Sequence, residues 1–333
     1  MEQHLWLDLL YVALAVAILW KCADWFVDGA VAIAERLQVP QMLVGLVIVS
    51  IATTSPELMA SLLAALRDMP EVALGNAVGS VIIDASVALG LAAVISVVPL
   101  TADRRIFRTS ALMLIIVLPL SFFMCLDGVL ARYEGIVLLI LYVIYAVVSY
   151  VQVRRRQRAG DLTALPAEVP DLEHLPVHKI AWLFLGGLIG VIGGSHLLLE
   201  GAVGIAVWAQ LPTVVIGLTV VAIGTSMPEV ATCVASAVKK QSGIGIGNIL
   251  GADILNICWV AGLSSIANPL VAERRVVFIM FPAVLVIVTV MLAMLRCGYR
   301  LSRLNGAILL VLYVLYVCTL LYFAPRDVVI PAH

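Results

Sequence analysis

A short motif ending in Pro-Glu occurs twice in this chain, each time inside an apolar run long enough to cross a lipid bilayer. The first copy is Thr-Thr-Ser-Pro-Glu ending at Glu57, and the second is Thr-Ser-Met-Pro-Glu ending at Glu229. A carboxylate at the bilayer centre costs about 2.5 kcal/mol or more, so two acids at matching places mark a functional site. The proline before each acid interrupts the helix and frees backbone carbonyls beside hydroxyls and carboxylate. The pattern predicts oxygen ligands for a hard cation inside the membrane.

Composition sets the class of protein. Of the 333 residues, 63% are hydrophobic and 12% are charged, against about 25% charged in a soluble domain. This balance predicts an all-α polytopic membrane protein. The six cysteines are scattered without metal-ligand spacing, which is typical of small packing residues.

Breaks at charges, prolines and glycines divide the chain into ten apolar segments, each near the ~20 residues that a span needs. The predicted spans are 5–34, 40–66, 72–98, 106–125, 134–152, 178–208, 212–238, 244–268, 276–295 and 304–323. The segment between the fifth and sixth spans is polar and too short to fold alone. We expect a first five-helix repeat over 1–153, a cytoplasmic linker over 154–177 and a second five-helix repeat over 178–333.

The two halves are copies of each other. Glu229 lies 172 residues after Glu57, and the same offset carries Gly75-Asn76 onto Gly247-Asn248. Because each copy holds an odd number of spans, the second must enter the membrane upside down relative to the first. The expected fold is therefore ten transmembrane helices arranged as two inverted repeats, a plan that many secondary transporters share.

Charge in the short loops predicts the orientation. Fourteen Lys and Arg residues fall on the side where the first span ends, and five fall on the other. The positive-inside rule places the richer side in the cytoplasm. We expect a multi-pass protein of the cell (inner) membrane with both termini extracellular or periplasmic. Asp24 and Asp28 in the first span are expected to form ion pairs near its end.

The third span of each half carries further polar side chains. Ser80 and Asp84 are four residues apart and share one helix face, as do Ala252 and Asn256. Three carboxylates at close range in a medium of low dielectric cannot all stay ionised without metal ions or protons. Oxygen ligands without His or Cys fit Ca²⁺ or Na⁺ rather than zinc or copper. The side chains expected to converge near the midplane are Glu57, Glu229, Asp84, Thr53, Thr54, Ser80, Thr225 and Ser226.

With both signature repeats, ten spans and Gly-Thr-Ser-Met-Pro-Glu from Gly224 to Glu229, the chain resembles the calcium/cation antiporters, specifically the prokaryotic sodium/calcium exchangers. The resemblance covers essentially the whole chain. It implies an antiporter that exports Ca²⁺ in exchange for Na⁺ through one central site exposed alternately to each side. Both ions are transported substrates rather than cofactors. The resemblance also implies the ligands: carboxylates of Glu57 and Glu229 with carbonyls of Thr53 and Thr225 for Ca²⁺, and side chains of Thr53, Ser80 and Thr225 with carbonyls of Ser50 and Ala222 for Na⁺.

Two departures from the family pattern concern the third span of each half. The archaeal exchangers carry an amide at the position of Asp84 and an acid at that of Asn256, so the pair is exchanged here. Ala252 stands where a serine matching Ser80 would be expected to bind Na⁺. The missing hydroxyl should weaken that Na⁺ site.

Several alternatives stay open at this level. A proton-coupled divalent cation exchanger of the same superfamily would use the carboxylates alone, and a cation channel would need no counter-ion. Glu57 and Glu229 could be structural acids, and Asp84 could be a neutral acid that orients Asn256. An intramembrane aspartyl protease needs two facing aspartates. The counterpart of Asp84 in the second half is Asn256, which disfavours this class. We expect no enzyme activity and no nucleic-acid partner, only membrane lipid, Ca²⁺ and Na⁺, with a monomer sufficient for transport.

Overall fold

A computed structural model describes residues 5–67, 69–158, 175–208 and 222–323, and nearly all of them are helical. Apolar runs become helices in a bilayer because every backbone amide and carbonyl then finds a partner within its own segment. The first half contains α1 (Leu5–Arg36), α2 (Gln41–Val44), α3 (Ser50–Thr53), α4 (Ser55–Leu66), α5 (Pro70–Ile83), α6 (Leu89–Ile95), α7 (Arg104–Met124) and α8 (Arg132–Arg158).

The second half repeats this order. It contains α9 (Val177–Ala181), α10 (Gly187–Trp208), α11 (Ala222–Thr225), α12 (Met227–Val238), α13 (Ser242–Leu255), α14 (Gly262–Ala267), α15 (Phe281–Arg296) and α16 (Arg303–Tyr322). Single π-helical turns join helices without a break in the rod at Gly45–Val49, Asp84–Ala88, Trp182–Gly186 and Asn256–Ala261, and another at Val276–Met280 leads into α15. A 3₁₀ turn at Cys125–Asp127 ends the rod of α7.

Eight helical rods within the described ranges are long and apolar enough to cross a membrane. A ninth span is the pair Gln41–Thr53 and Ser55–Leu66, bent by 41°. The predicted span 212–238 is represented by the shorter helix Met227–Val238, since 209–221 lie outside the described residues. The predicted linker 154–177 lies largely outside them as well, and α8 continues to Arg158.

Four two-residue strands tie the halves together at the ends of the bundle. Strand β1 (Leu100–Thr101) pairs antiparallel with β4 (Arg300–Leu301), and β2 (Val129–Leu130) pairs antiparallel with β3 (Leu270–Val271). Each ladder therefore joins one half of the chain to the other.

The end with β1 and β4, here called the arginine-rich end, also gathers basic side chains that the charge count assigned to one side. Arg104 and Arg296 both lie over the ring of Tyr299, at 5.6 and 5.7 Å from its centroid. Arg303 donates to the carbonyl of Ser96 at 3.0 Å. These contacts confirm that loops predicted to share a side do meet.

Large apolar side chains cover the outside of the bundle. Ile115, Ile189 and Phe278 are 60%, 71% and 66% exposed, which would be costly in water and is normal where lipid tails surround a protein. The interior is apolar as well, apart from a set of buried Asp, Glu, Asn, Ser and Thr side chains.

Helices α1 and α10 run antiparallel in close contact, because glycines on α10 and its preceding turn remove side chains from the interface. A Cβ at Gly187 would lie 2.5 Å from the backbone nitrogen of Phe26, and one at Gly201 would lie 2.7 Å from the carbonyl of Asp8. Phe26 and Phe184 also stack across the pair, with ring centroids 4.7 Å apart. Residues spread along most of both helices thus hold the pair together.

Lys239, at the end of α12, connects α1 to the rest of the bundle. Its ammonium lies 2.7 Å from a carboxylate oxygen of Asp24 and 2.6 Å from one of Asp28. The expected ion pairs of these two aspartates therefore form, with a partner from the other half of the chain.

Two glycines of α13 let this helix pack closely against the bent span of the first half. A Cβ at Gly247 would collide with the carbonyl oxygen of Met42, and one at Gly251 would collide with that of Leu46. Glycine at both positions lets the two backbones approach far more closely than larger residues allow. This approach brings the polar side chains of α13 next to the helix break at Thr54.

Candidate ion-binding site

The two acids of the repeated motif occupy the same local structure. The bent span turns at Thr54, and Glu57 lies in the first turn of α4, just after Pro56. In the second half Ser226 precedes α12, whose first turn holds Pro228 and Glu229. Proline suits the first turn of a helix, where its missing N–H is not needed, and the positive end of the helix dipole favours an acid there. Both carboxylates are fully buried, with no exposed surface.

Hydroxyl groups beside each break face the acid of the other half. Thr54 donates to a carboxylate oxygen of Glu229 at 3.2 Å. Ser226, which lies 172 residues after Thr54, is close to Glu57 without forming a hydrogen bond to it. The two predicted motifs therefore meet crosswise, although only one of the two equivalent hydrogen bonds is made.

Two asparagines make a second pair of crosswise contacts. Thr53 donates to the side-chain oxygen of Asn248 at 3.1 Å, and Thr225 donates to that of Asn76 at 3.3 Å. The two threonines are 172 residues apart, and so are the two asparagines. Asn76 in turn donates to Ser61 at 2.9 Å, which fixes its amide orientation. These bonds hold the threonine hydroxyls at the helix breaks.

The third spans meet at Asp84 and Asn256, which are themselves 172 residues apart. Asn256 donates to one carboxylate oxygen of Asp84 at 3.4 Å, and the other oxygen has no hydrogen-bond partner. Each residue begins a π-helical turn, a distortion that is frequent at functional sites. Ser80, one turn earlier than Asp84, is buried and its hydroxyl has no partner in the described part of the chain.

Ser50 and Ala222 begin the short helices that precede the breaks. Ser50 starts α3, and its carbonyl accepts the amide of Thr54 at 2.8 Å and the hydroxyl of Thr53 at 3.4 Å. Ala222 starts α11 at the edge of the described region. All predicted site residues thus lie on four helical stretches, which are α3 with α4, α5 with its π-turn, α11 with α12, and α13 with its π-turn.

The centre contains many side-chain oxygens, and no positively charged side chain is buried beside them in the described part of the chain. Among the buried polar side chains of the described residues there is no Lys, Arg or His. Oxygens without a hydrogen-bond partner include both of Glu57 and one each of Glu229, Asp84 and Asn256. In the described ranges no three Asp, Glu, His or Cys side chains group as a dense metal cage would require. An ion here would therefore take ligands from two acids at a time, together with hydroxyls, amides and carbonyls.

Three residues of the centre have no role in the sequence-based prediction. Asn76 and Asn248 repeat at the common offset, and this duplication is the signal that could have identified them. Asp253 on α13 is fully buried, and its counterpart in the first half is Val81. The repeat gives no signal for Asp253, because the equivalent residue of the first half is apolar.

A many-helix membrane protein with acids, hydroxyls and amides buried at breaks in two spans belongs to the class of ion transporters. The chain matches the family described as "Sodium/calcium exchanger protein" over residues 7–151 and 179–322. It belongs to this family, and it is accordingly a sodium/calcium antiporter, a secondary transporter rather than an enzyme. The resemblance inferred from the motifs is confirmed, and the proton-coupled alternative is not favoured.

Relatives of known sequence and structure cover nearly the whole chain. An uncharacterized membrane protein of Methanocaldococcus jannaschii is 31% identical over 310 residues, which are 93% of this chain and 97% of that protein. The sodium/calcium exchanger MaX1 of Methanosarcina acetivorans is 26% identical over 348 residues, covering 95% and 99% of the two chains. The solved structure of the sodium-calcium exchanger NCX_Mj, soaked with Na⁺ and Sr²⁺, superposes with a TM-score of 0.77 at 27% identity, covering 95% and 99%.

Proposed function

We propose that the chain exchanges Na⁺ for Ca²⁺ by alternating access at the centre around Glu57 and Glu229. The observation that carries this proposal is the pair of fully buried acids at two helix breaks, with no buried cation among the described residues. Buried charges in proteins are paired or coordinate metals. Since the described residues supply no partner charge, we infer that the transported cations supply it.

The ligands that we propose are those that the resemblance to the exchangers implies, and the free carboxylate oxygens support them. Glu57 offers two oxygens and Glu229 offers one, so the two acids together can bridge a Ca²⁺ ion, which takes carboxylate and carbonyl ligands. Carbonyls of Thr53 and Thr225 would complete the Ca²⁺ shell. The flanking Na⁺ sites would use the hydroxyls of Thr53, Ser80 and Thr225 with the carbonyls of Ser50 and Ala222. Thr54, Ser226, Asp84 and Asn256 would orient and balance these ligands.

The crosswise hydrogen bonds support two inverted five-helix repeats. A shift of 172 in residue number converts the bond between Thr53 and Asn248 into the bond between Thr225 and Asn76. The same shift converts the pair of Asp84 and Asn256 into itself. Such a pattern arises when two copies face each other around a two-fold axis. With the bent span and a span containing Met227–Val238, the eight long rods make ten. We place the repeats at 1–153 and 178–333, with a cytoplasmic linker over 154–177.

Alternating access requires one part of the molecule to move against another. We propose that α1 and α10 slide together across the core formed by the bent span, α5, α12 and α13, because the two helices contact each other along most of their lengths. The arginine-rich end would face the cytoplasm, with both termini outside the cell (inner) membrane. One copy of the chain in a lipid bilayer contains every element that this cycle needs.

Reconstituted vesicles test the proposal directly. Full-length protein in vesicles loaded with Na⁺ and diluted into Na⁺-free buffer should accumulate radiolabelled Ca²⁺, and Glu57→Gln should abolish the uptake. The control Glu71→Gln removes an acid from the first turn of α5, away from both helix breaks. It should leave uptake intact.

Four outcomes would contradict the proposal. One is failure of the Na⁺ gradient to drive uptake, and another is normal uptake by the Glu57 variant. The third is uptake driven by a pH gradient in Na⁺-free buffer, which would point to proton coupling. Ca²⁺ flux that needs no counter-ion at all would indicate a channel.

A further inference from the structure

Asp253 is a buried acid that neither the repeat nor the proposed ligand set uses. It lies on α13, three residues before Asn256, and has no exposed surface. Neither of its carboxylate oxygens has a hydrogen-bond partner within the described residues. A buried carboxylate without any partner is among the most costly groups a protein can contain, so its presence calls for a ligand.

The position of Asp253 shows that it is an addition to the repeated plan. Its counterpart in the first half, 172 residues earlier, is the buried Val81. The residue before it is Ala252, which lacks the hydroxyl of its own counterpart Ser80. The second half has therefore lost one ligand oxygen and gained a carboxylate at the adjacent position.

Charge around Asp253 excludes an internal ion pair. Its carboxylate interacts electrostatically with those of Glu229 and Asp84, which are like charges. The buried polar residues in the described ranges include no Lys, Arg or His that could neutralise it. A protonated Asp253 would instead donate a hydrogen bond, yet it contacts no acceptor among those residues. A bound cation is the remaining way to stabilise this group.

We propose that Asp253 is a further ligand of the ion centre and that it binds a monovalent cation on the flank next to Asp84. The inference rests on the proposed function in taking Na⁺ as that cation. On this flank Asp84 uses one carboxylate oxygen to accept from Asn256, while both oxygens of Asp253 are without a hydrogen-bond partner among the described residues. One carboxylate with neighbouring hydroxyl, amide and carbonyl oxygens suits a single positive charge.

Displacement of Ca²⁺ by Na⁺ measures the contribution of Asp253. Each purified full-length protein is incubated with radiolabelled Ca²⁺ at a concentration equal to its own Kd for Ca²⁺. NaCl then replaces choline chloride stepwise, so that the ionic strength stays constant. Asp253→Asn keeps the side-chain volume and removes the charge. It should raise the Na⁺ concentration for half-displacement about tenfold, the effect of losing one charged ligand. It should also lower the Hill coefficient for Na⁺.

A matched control makes the same chemical change outside the centre. Asp103→Asn removes one carboxylate from the N-cap of α7, where the side chain accepts from the amides of Arg105 and Ile106. Asparagine caps helices about as well as aspartate. This control should displace Ca²⁺ with the same Na⁺ dependence as the wild type.

Thermal unfolding separates this inference from the proposed function. Na⁺ that binds the folded state raises Tm relative to choline, and Asp253→Asn should reduce that rise even if the protein were to transport no Ca²⁺. Asp253→Ser, which keeps one oxygen without the charge, is the second variant should the amide fail to fold. Unchanged Na⁺ displacement and an unchanged Na⁺-dependent Tm rise in either folded variant would overturn the inference and identify Asp253 as a neutral acid.

Discussion

Replacing Thr54 by valine removes one hydroxyl from the centre while keeping the shape of the side chain. Thr54 donates to one oxygen of Glu229, and the second oxygen of that acid is free. An ion can therefore bind Glu229 without breaking the bond. In the free state the bond holds the carboxylate in the orientation that the ion requires, so without it the cost of orienting the side chain is added to ion binding. A hydrogen bond to a charged group contributes about 1.5–3 kcal/mol.

The length of the bond selects the lower end of that range. At 3.2 Å it is longer than the ~2.5–2.7 Å typical of a hydroxyl bound to a carboxylate. A loss of about 1.5 kcal/mol corresponds to a roughly tenfold rise in the Kd for Ca²⁺. Titration of purified protein with Ca²⁺ in a calorimeter measures this change.

Ser226 provides the matched control for Thr54. It occupies the equivalent position in the other half, but its hydroxyl makes no hydrogen bond in the described part of the chain. Ser226→Ala should therefore change the Kd less than Thr54→Val does. Equal effects of the two substitutions, or no effect of Thr54→Val, would refute the reasoning.

Two further predictions concern packing. Lys239→Gln removes the ion pairs with both Asp24 and Asp28. It should raise amide hydrogen exchange in this part of α1 about two- to thirtyfold, because partly exposed ion pairs contribute about 0.2–1 kcal/mol each; unchanged exchange would show that the pairs do not hold the helix. Gly247→Ala should lower the free energy of unfolding by about 1–3 kcal/mol through overpacking against the Met42 carbonyl, and denaturation in detergent that matches the wild type would contradict the close approach.

Each packing prediction has a control at a similar position. Lys240→Gln makes the same change at the neighbouring lysine. This substitution should leave the amide hydrogen exchange of α1 unaltered. Gly193→Ala adds a methyl group on α10 where no described atom lies within 4 Å. It should leave stability equal to that of the wild type or slightly higher.

The helix breaks were predictable from sequence because their cause is local. Proline before Glu57 and Glu229 dictates a restart of the helix, and the structure turns at Thr54 where the motif predicts it. The pairing of Asp84 with Asn256 was also open to prediction, since the common offset relates them. Physical rules that act within a few residues, or between repeats, leave a trace in the pattern.

Other features depend on packing that no local pattern encodes. The π-helical turns at Asp84 and Asn256 reflect how neighbouring helices fit, and apolar sequence is compatible with either helix type. Lys239 directly follows the predicted span 212–238, but its pairing with α1 requires knowledge of which helices are adjacent. Asp253 has no acidic counterpart at the equivalent position of the first half, which holds Val81, so the repeat does not reveal it.

The two short ladders have a consequence for any motion of the molecule. Strand β1 is joined to β4 at one end of the bundle, and β2 is joined to β3 at the other. The two halves of the chain are therefore held together on both sides of the ion centre. Each ladder resists separation of the loops that it joins. If α1 and α10 slide across the core as proposed, access to the ions changes at the edge of the core where these two helices lie, and the distances between the proposed ligands change little. Covalent cross-links placed across either ladder should therefore be compatible with transport.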